Sequence, residues 1–353
     1  MVWSTPATTG PVPAPRRAHS ATFVASQCLI YVFGGGDGPA YFNDLYTLNT
    51  RTLAWSKPLL PIPTTNGSSS NLAADAGPIT PGPRRAHTAC LWKRGIYVFG
   101  GGDGVRALND VYRLDVADPA KVSWQKIATN GRPPQPRGYH TGALVHSRWV
   151  IFGGSDGHEC FSDCHILNLQ TMSWINVQLD MPVPRLSHTA TQVGSYLFIF
   201  GGHDGSRYSS DLLLMNLVTM NWEARKVYCR HPPAPRGYHC TVLYDSRVIA
   251  FGGYDGSTVF DDLWMLELSA AAYMPQITSF DIHVNEGQEQ ELIPSPMTLT
   301  TGSAMDDGRS TQSRDPSMVE ETVDVTTTAD ISAFGTPSYH SYQPEATGVI
   351  MDE

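Results

Sequence analysis

Three groups of residues in this chain have the types and spacing for chemistry. Glycine-rich runs follow apolar stretches in "IYVFGGGDG" at Ile30–Gly38 and again at Ile96–Gly104. Turns of that kind cradle phosphates, because their backbone N–H groups reach the anion at a helix N-terminus. Five histidines (His19, His87, His140, His188 and His239) and the run "HECFSDCH" (His158, Cys160, Cys164, His165) offer nitrogen and sulfur ligands for a metal. Tyr139 and Tyr238 place a phenol beside two of those imidazoles.

Each chemistry fails on position. Asp37 lies inside the first glycine loop, where a carboxylate repels a pyrophosphate, and the next segment, "YFNDLYTLNT", alternates like a strand instead of opening a helix. The five histidines recur once per repeat, which spreads them out, whereas a shared ion needs its ligands within ~2.0–2.3 Å. Cys164 holds the register of Leu45, Val111, Leu212 and Leu263, so it is expected to point into packed interior. A Ser-His-Asp nucleophile fails in the same way, since its His and Asp would come from the repeated set.

The elements that position these residues are therefore repeats. "VIFGGSDG", "FIFGGHDG" and "IAFGGYDG", ending at Gly157, Gly205 and Gly256, extend the series to five, and the marker histidines are 68, 53, 48 and 51 residues apart. Each copy reads Pro-Arg-x-x-His, an apolar strand, Phe-Gly-Gly-x-Asp-Gly, an Asp before a further strand, then a Trp. In the second copy these are Pro83, Arg84, His87, Phe99, Gly100, Gly101, Asp103, Gly104, Asp110 and Trp124.

Over residues 1 to about 268 this pattern resembles the kelch repeat, whose period is about 50 residues. The GGxDG form is similar to kelch proteins of cell-polarity and Rab-effector type, which serve as binding platforms. The resemblance implies an all-β fold: a β-propeller of four-stranded antiparallel blades about a central channel, with five recognisable repeats. Trp55, Trp124, Trp174 and Trp222 recur near the start of the outermost strand and are expected to fill the gaps between blades. Trp3 is an outer-strand tryptophan with no inner strands before it, and the fifth copy has no Trp after "DDLWMLELS". Two closures follow: a five-bladed ring completed by the N-terminal strand, or a truncated six-bladed ring with "ITSFDIHV" (277–284) as the last outer strand.

Composition supports this reading. A hydrophobic content of 41%, with 32 Gly and 26 Pro, favours short strands joined by tight turns around a buried core. Residues 269–353 hold seven Asp, seven Glu and two Arg, so the net charge of −9 belongs to the tail and the repeats carry no nucleic-acid footprint. We expect a propeller over 1–285, with a Pro/Gly/Ser-rich insertion at 58–82, and an acidic, Ser/Thr-rich disordered tail over 286–353. With no basic leader and no long apolar run, the protein reads as cytoplasmic with no membrane insertion. Its six cysteines are expected to be reduced, mostly as buried small hydrophobes.

Residues common to all five copies serve needs that every blade shares, so site residues are sought where the copies differ. After Gly-Gly stand Gly36, Gly102, Ser155, His203 and Tyr254. After Pro-Arg stand Arg17-Ala18, Arg85-Ala86, Gly138-Tyr139, Leu186-Ser187 and Gly237-Tyr238. In kelch propellers these loops share one face that grips peptides, which makes Arg17, Arg85, Tyr139, Ser155, Ser187, His203, Tyr238 and Tyr254 the expected partner-binding set. Arg and Tyr together suit an acidic or phosphorylated peptide with an aromatic or apolar anchor. The expected function is a non-enzymatic interaction scaffold without cofactor or metal, in cell polarity or small-GTPase signalling. The alternatives are a substrate-recognition subunit of a ubiquitin ligase and, further off, a galactose-oxidase-like copper enzyme.

Overall fold

A computed structural model describes residues 4–60, 80–224, 227–268 and 280–282. Trp3, most of the 58–82 insertion and the acidic tail lie outside the described residues, and with them the expectations placed there.

The described chain forms five antiparallel sheets in sequence order. Blade 1 comprises β1 (Ser20–Val24), β2 (Leu29–Phe33), β3 (Leu45–Asn49) and β4 (Ala54–Ser56). Blade 2 has β5 (Thr88–Trp92), β6 (Gly95–Gly102), β7 (Ala107–Asp115) and β8 (Ser123–Ile127). Blade 3 has β9 (Thr141–Val145), β10 (Arg148–Phe152), β11 (Cys164–Asn168) and β12 (Ser173–Val177). Blade 4 has β13 (Thr189–Val193), β14 (Tyr196–Phe200), β15 (Leu212–Asn216) and β16 (Asn221–Glu223). Blade 5 has three described strands, β17 (Cys240–Tyr244), β18 (Arg247–Tyr254) and β19 (Val259–Glu267). The innermost strands β1, β5, β9, β13 and β17 stand side by side in that order, and among the described residues β17 and β1 do not pack to the extent of the other four pairs.

A blade is flanked on both faces, so its second strand loses the polar–apolar alternation of a one-sided sheet. In β10, Trp149, Val150, Ile151 and Phe152 are all buried. The phenylalanine ending that strand meets two aromatic rings of the following blade. Phe33 lies 5.4 Å from His87 and 4.8 Å from Trp124, Phe99 lies 5.2 Å from His140 and 5.0 Å from Trp174, and Phe152 lies 5.3 Å from His188 and 5.5 Å from Trp222. Three of the four recurring tryptophans, Trp124, Trp174 and Trp222, thus fill gaps between blades, each such ring contributing roughly 1.5–3 kcal/mol of burial.

The Gly-Gly pair answers two demands at once. Gly100 and Gly101 have φ of +66° and +95°, and a Cβ on either would stand 2.7 Å from a carbonyl oxygen, that of Arg137 or of Arg85. The carbonyl of Arg137 accepts the Gly101 N–H at 2.8 Å, so this close approach is a hydrogen bond between blades.

Two parts of the sequence reading are corrected. The described piece of "ITSFDIHV" does not extend blade 5: Ile282 is buried among blade 3 and blade 4 residues, and the Phe280 carbonyl lies 3.1 Å from His146 Nε2. Among the cysteines, Cys90 and Cys164 are buried, but Cys229 and Cys240 are exposed. Strand register gives the direction in which Cys240 points, and among the described residues the strands packed extensively against β17 are β13 and β18.

Candidate interaction site

The repeated Pro-Arg arginine is the fixed point of each blade. Arg16, Arg84, Arg137, Arg185 and Arg236 pair with Asp44, Asp110, Asp163, Asp211 and Asp262, with closest N–O distances of 2.6, 2.6, 2.5, 2.9 and 2.5 Å. In four of the five, Nη1 also donates to the first glycine carbonyl of the Gly-Gly pair: Gly34, Gly100, Gly153 and Gly252. The guanidinium therefore ties the start of the innermost strand to both sides of the glycine loop. Burial alone would raise the Asp163 pKa, but hydrogen bonds from Arg137 and His165 outweigh it and hold the carboxyl well below its ordinary value.

The repeated histidines are structural. Nε2 of His87, His140, His188 and His239 lies 2.8–3.0 Å from the hydroxyl of Ser20, Thr88, Thr141 and Thr189, each in the preceding blade. Burial, followed by the nearby arginine charge, lowers His87 and His188 to about 3 and His239 to about 4, so all three are neutral near pH 7. The repeated turn aspartates Asp103, Asp156, Asp204 and Asp255 accept backbone N–H groups of their own loops.

The variable positions assemble on top of this frame. Arg17 pairs with Gly36, Arg85 with Gly102, Gly138 with Ser155, Leu186 with His203 and Gly237 with Tyr254, each through two backbone hydrogen bonds of 2.8–3.0 Å. The two loop sets chosen from sequence are thus stitched together blade by blade at one mouth. The next residue in each blade, Ala18, Ala86, Tyr139, Ser187 or Tyr238, has φ between 54° and 60° and links one blade to the next. Tyr238 donates to Ser187, Ser187 to Tyr139, Tyr139 to Ala86 and Ala86 to Ala18, at 2.8–2.9 Å.

Side chains meet along that arc. The Tyr139 and Tyr238 rings meet edge to face at 5.7 Å, passing over the smaller Ser187 between them. Burial first, then Tyr238, raises the Tyr139 pKa, while Arg85 and Arg17 act against that rise. The Arg85 guanidinium lies 4.8 Å from the Tyr41 ring centroid, and Arg17 is exposed. Two proposed contacts are withdrawn from solvent: Ser187 and His203 are both buried, and His203 Nδ1 accepts the Gly205 N–H at 3.0 Å. Tyr254 turns back on its own loop, donating to the Gly256 carbonyl.

Tyr41 and Tyr208 escaped the sequence analysis. Tyr208 packs 4.7 Å from His203 and 6.1 Å from Tyr254, and burial followed by Tyr238 raises its pKa. Both lie on the return leg of the glycine loop, bridged to Gly36 and His203 respectively. The corresponding residue in the other blades is Ala107, Cys160 or Val259, so comparing copies at that position would have found them.

The KLHDC2/KLHL20/DRC7 Kelch-repeats domain matches residues 1–202 and again 175–283. The chain belongs to the kelch-repeat family. Among curated kelch relatives, Acyl-CoA-binding domain-containing protein 4 of Arabidopsis thaliana is 28% identical over 268 residues, covering 75% of this chain and 31% of that protein. Human Host cell factor 2 is 31% identical over 208 residues, covering 50% of this chain and 24% of its own. The kelch chain thus spans a third or less of the length of these relatives. No helix among the described residues is long and apolar enough to cross a membrane.

Proposed function

We propose that this kelch chain is a non-enzymatic interaction scaffold that grips an acidic or phosphorylated segment of a protein partner at the mouth built from Arg17, Arg85, Tyr139, Tyr238 and Tyr254. Kelch propellers support protein interaction in general and are generally non-enzymatic. The observation that carries the finer reading is the grouping of two arginines and several tyrosines along one arc of backbone hydrogen bonds. A guanidinium forks onto a carboxylate or phosphate, and a tyrosine offers rigid contact area at low entropic cost. Because the mouth backbone is stitched in every blade, the partner meets a preformed surface, which lowers the ordering cost of binding.

The proposed setting is cytoplasmic, with a role in cell polarity or small-GTPase signalling, and with neither nucleic acid nor membrane as ligand. Affinity capture with the wild-type chain and with Arg17→Ala/Arg85→Ala, followed by mass spectrometry, tests the reading. Proteins retained by the first and lost from the second are the expected partners. Identical capture by both chains would refute the mouth as the site.

A further inference from the structure

Consecutive blades meet through their strand faces, and each junction must also be closed at the hairpin end, where the first strand of a blade turns into the second. That end lies away from the mouth, since β10 runs its five residues, roughly 17 Å, from the turn at His146 to Gly153. The closing position is the last residue of the first strand: Val24, Trp92 and Val145 in blades 1, 2 and 3. Between blades 1 and 2, Val24 is joined by Val116 and Val122 from the long connection between β7 and β8. Between blades 2 and 3, Trp92 itself packs on the junction cluster, together with Leu169 and Met172 from the turn between β11 and β12.

Between blades 3 and 4 the turn residues are of the same types, Leu217 and Met220, but Val145 stands where blade 2 has Trp92. A valine is far smaller than a tryptophan, and a close-packed interior does not leave such a difference empty. Ile282 makes it up: it is 2% exposed, within the cluster that holds Val145, Leu217 and Met220. Phe280 packs on the same cluster and Asp281 between them faces solvent, so the segment lies extended with alternate side chains inward. His146 Nε2 donates to the Phe280 carbonyl at 3.1 Å, and the two rings meet edge to face at 6.3 Å. In the equivalent turn of blade 2 the Lys93 ammonium lies 4.2 Å from the Trp92 ring centroid. A contact that blade 2 makes within its own turn is made in blade 3 with a residue 134 positions away.

The segment is nevertheless separable from the blades it touches. β9–β12 and β13–β16 are complete four-stranded sheets without it, and among the described residues no backbone–backbone hydrogen bond ties 280–282 to either. Two side chains and one accepted hydrogen bond hold it in place. Those are the terms on which a groove recognises a short protein segment.

We propose that the notch between blades 3 and 4 at the hairpin end is a peptide-docking site for an extended segment with an aromatic residue and, two positions later, a branched aliphatic one. In this chain Phe280-Asp281-Ile282 is the seated ligand. The aliphatic side chain fills the space that Val145 leaves, the aromatic ring meets His146, and the carbonyl of the aromatic residue takes the imidazole N–H. The residue between them is free to vary, because it points to solvent. Seating in cis bounds the strength: a tethered segment has an effective concentration in the millimolar range, so one that stays seated binds in trans with a Kd below about 1 mM. The notch lies at the far end of the blades from the mouth, and the proposal does not depend on the partner read there.

The test uses the 353-residue chain carrying Phe280→Ala/Ile282→Ala, which empties the notch, and a fluorescently labelled peptide ITSFDIHV (277–284) as the probe. Fluorescence polarisation should show saturable binding to the emptied chain and binding at least about tenfold weaker to wild type, where the resident segment competes. A peptide carrying the same two alanines should not bind. Val145→Trp in the emptied chain should abolish binding, because the indole fills the notch as Trp92 does in blade 2. His146→Ala, which leaves the notch open, should weaken binding roughly three- to tenfold, and this arm decides alone if the tryptophan is not accommodated. No binding at about 1 mM of the emptied chain would overturn the proposal. So would equal binding to wild type, or binding that neither Val145→Trp nor His146→Ala changes. Failure of the emptied chain to fold would make 280–282 part of the propeller core and overturn it as well. A wild-type dimer in sedimentation that the two alanines disperse would overturn the contact in cis, assigning the seated segment to a second copy.

Discussion

Arg84 and Arg85 are consecutive, yet they belong to different regions of the molecule. Arg84 is 1% exposed, pairs with Asp110 through two nitrogens and donates to the Gly100 carbonyl. Arg85 uses its backbone to bridge Gly102 and leaves its guanidinium over Tyr41 at the mouth. The first kind of residue recurs in every blade and the second in only two. Recurrence within one chain therefore separates what a blade needs from what the assembled face can offer. The same contrast predicts opposite responses to the same substitution.

The largest effect is expected where a buried guanidinium is removed. Arg137→Ala leaves Asp163 without its bidentate partner and two backbone carbonyls, those of Gly153 and Gln135, without their side-chain donor. Loss of a buried ion-pair partner costs about 3–5 kcal/mol, and the one-third exposure of Asp163 places the expectation at the lower end, roughly 3 kcal/mol. Chemical denaturation of Arg84→Ala and Arg137→Ala checks it. Stabilities within 1 kcal/mol of wild type would erase the distinction between the two arginine sets.

The mouth should answer in the reverse sense. Arg17→Ala/Arg85→Ala is expected to weaken partner binding by about 1–3 kcal/mol while leaving stability within about 0.5 kcal/mol of wild type. Titration of the captured partner beside a thermal melt gives both numbers from one preparation. Lost stability with unchanged affinity would move these arginines into the frame.

Acid should act on the frame first. His87, His188 and His239 have folded pKa values depressed to about 3–4, below the ordinary 6.5 they regain on unfolding. The unfolded chain therefore binds more protons below pH 6.5. Their contribution is complete above that pH and is lost as the pH falls through 6.5 toward 4, at up to about 1.4 kcal/mol per histidine per pH unit. The repeated aspartates act in a lower window, since Asp163 is held below its ordinary value and protonates only under stronger acid. Melting temperatures should hold between pH 7.5 and about 6.5 and fall below it as the pH is taken to 5, and His188→Asn should flatten that slope by one histidine's share. A flat profile in wild type would contradict burial of these rings as neutral species.

Much of the fold was legible because five copies reveal their own rules. Gly-Gly before Asp-Gly, a Phe one residue earlier and a Trp in the outer strand were readable as blade geometry, and the structure shows the reason for each in a positive φ, a ring contact or a turn. The mouth was half legible: positions that vary between copies were found, but Tyr41 and Tyr208 were not, because they enter from the return leg of the loop. Neither could sequence show that Tyr139 reaches Tyr238 past Ser187, which depends on side-chain size across two blades. Leu263 read as interior from register and Cys240 as a small hydrophobe of the strands, and only the arrangement of blades shows that both are exposed.

The finest test of the contrast concerns Tyr41, a residue of the mouth that touches one of its arginines without belonging to the repeated frame. Its ring carries the Arg85 guanidinium at 4.8 Å, a cation–π contact contributing roughly 0.5–1 kcal/mol at a partly exposed site. Tyr41→Leu keeps the apolar volume and removes the quadrupole, so stability should fall by no more than about 0.5 kcal/mol. If the ring serves to hold Arg85 ready for an anion, the variant should bind the partner more weakly, by up to about 1 kcal/mol. That deficit should vanish in the Arg85→Ala background, where there is no guanidinium left to hold. A double-mutant cycle between Tyr41→Leu and Arg85→Ala measures this coupling directly. Additive losses would mean that Tyr41 meets the partner on its own account, and the mouth would then be wider than the arginine pair and the tyrosines that pass over Ser187.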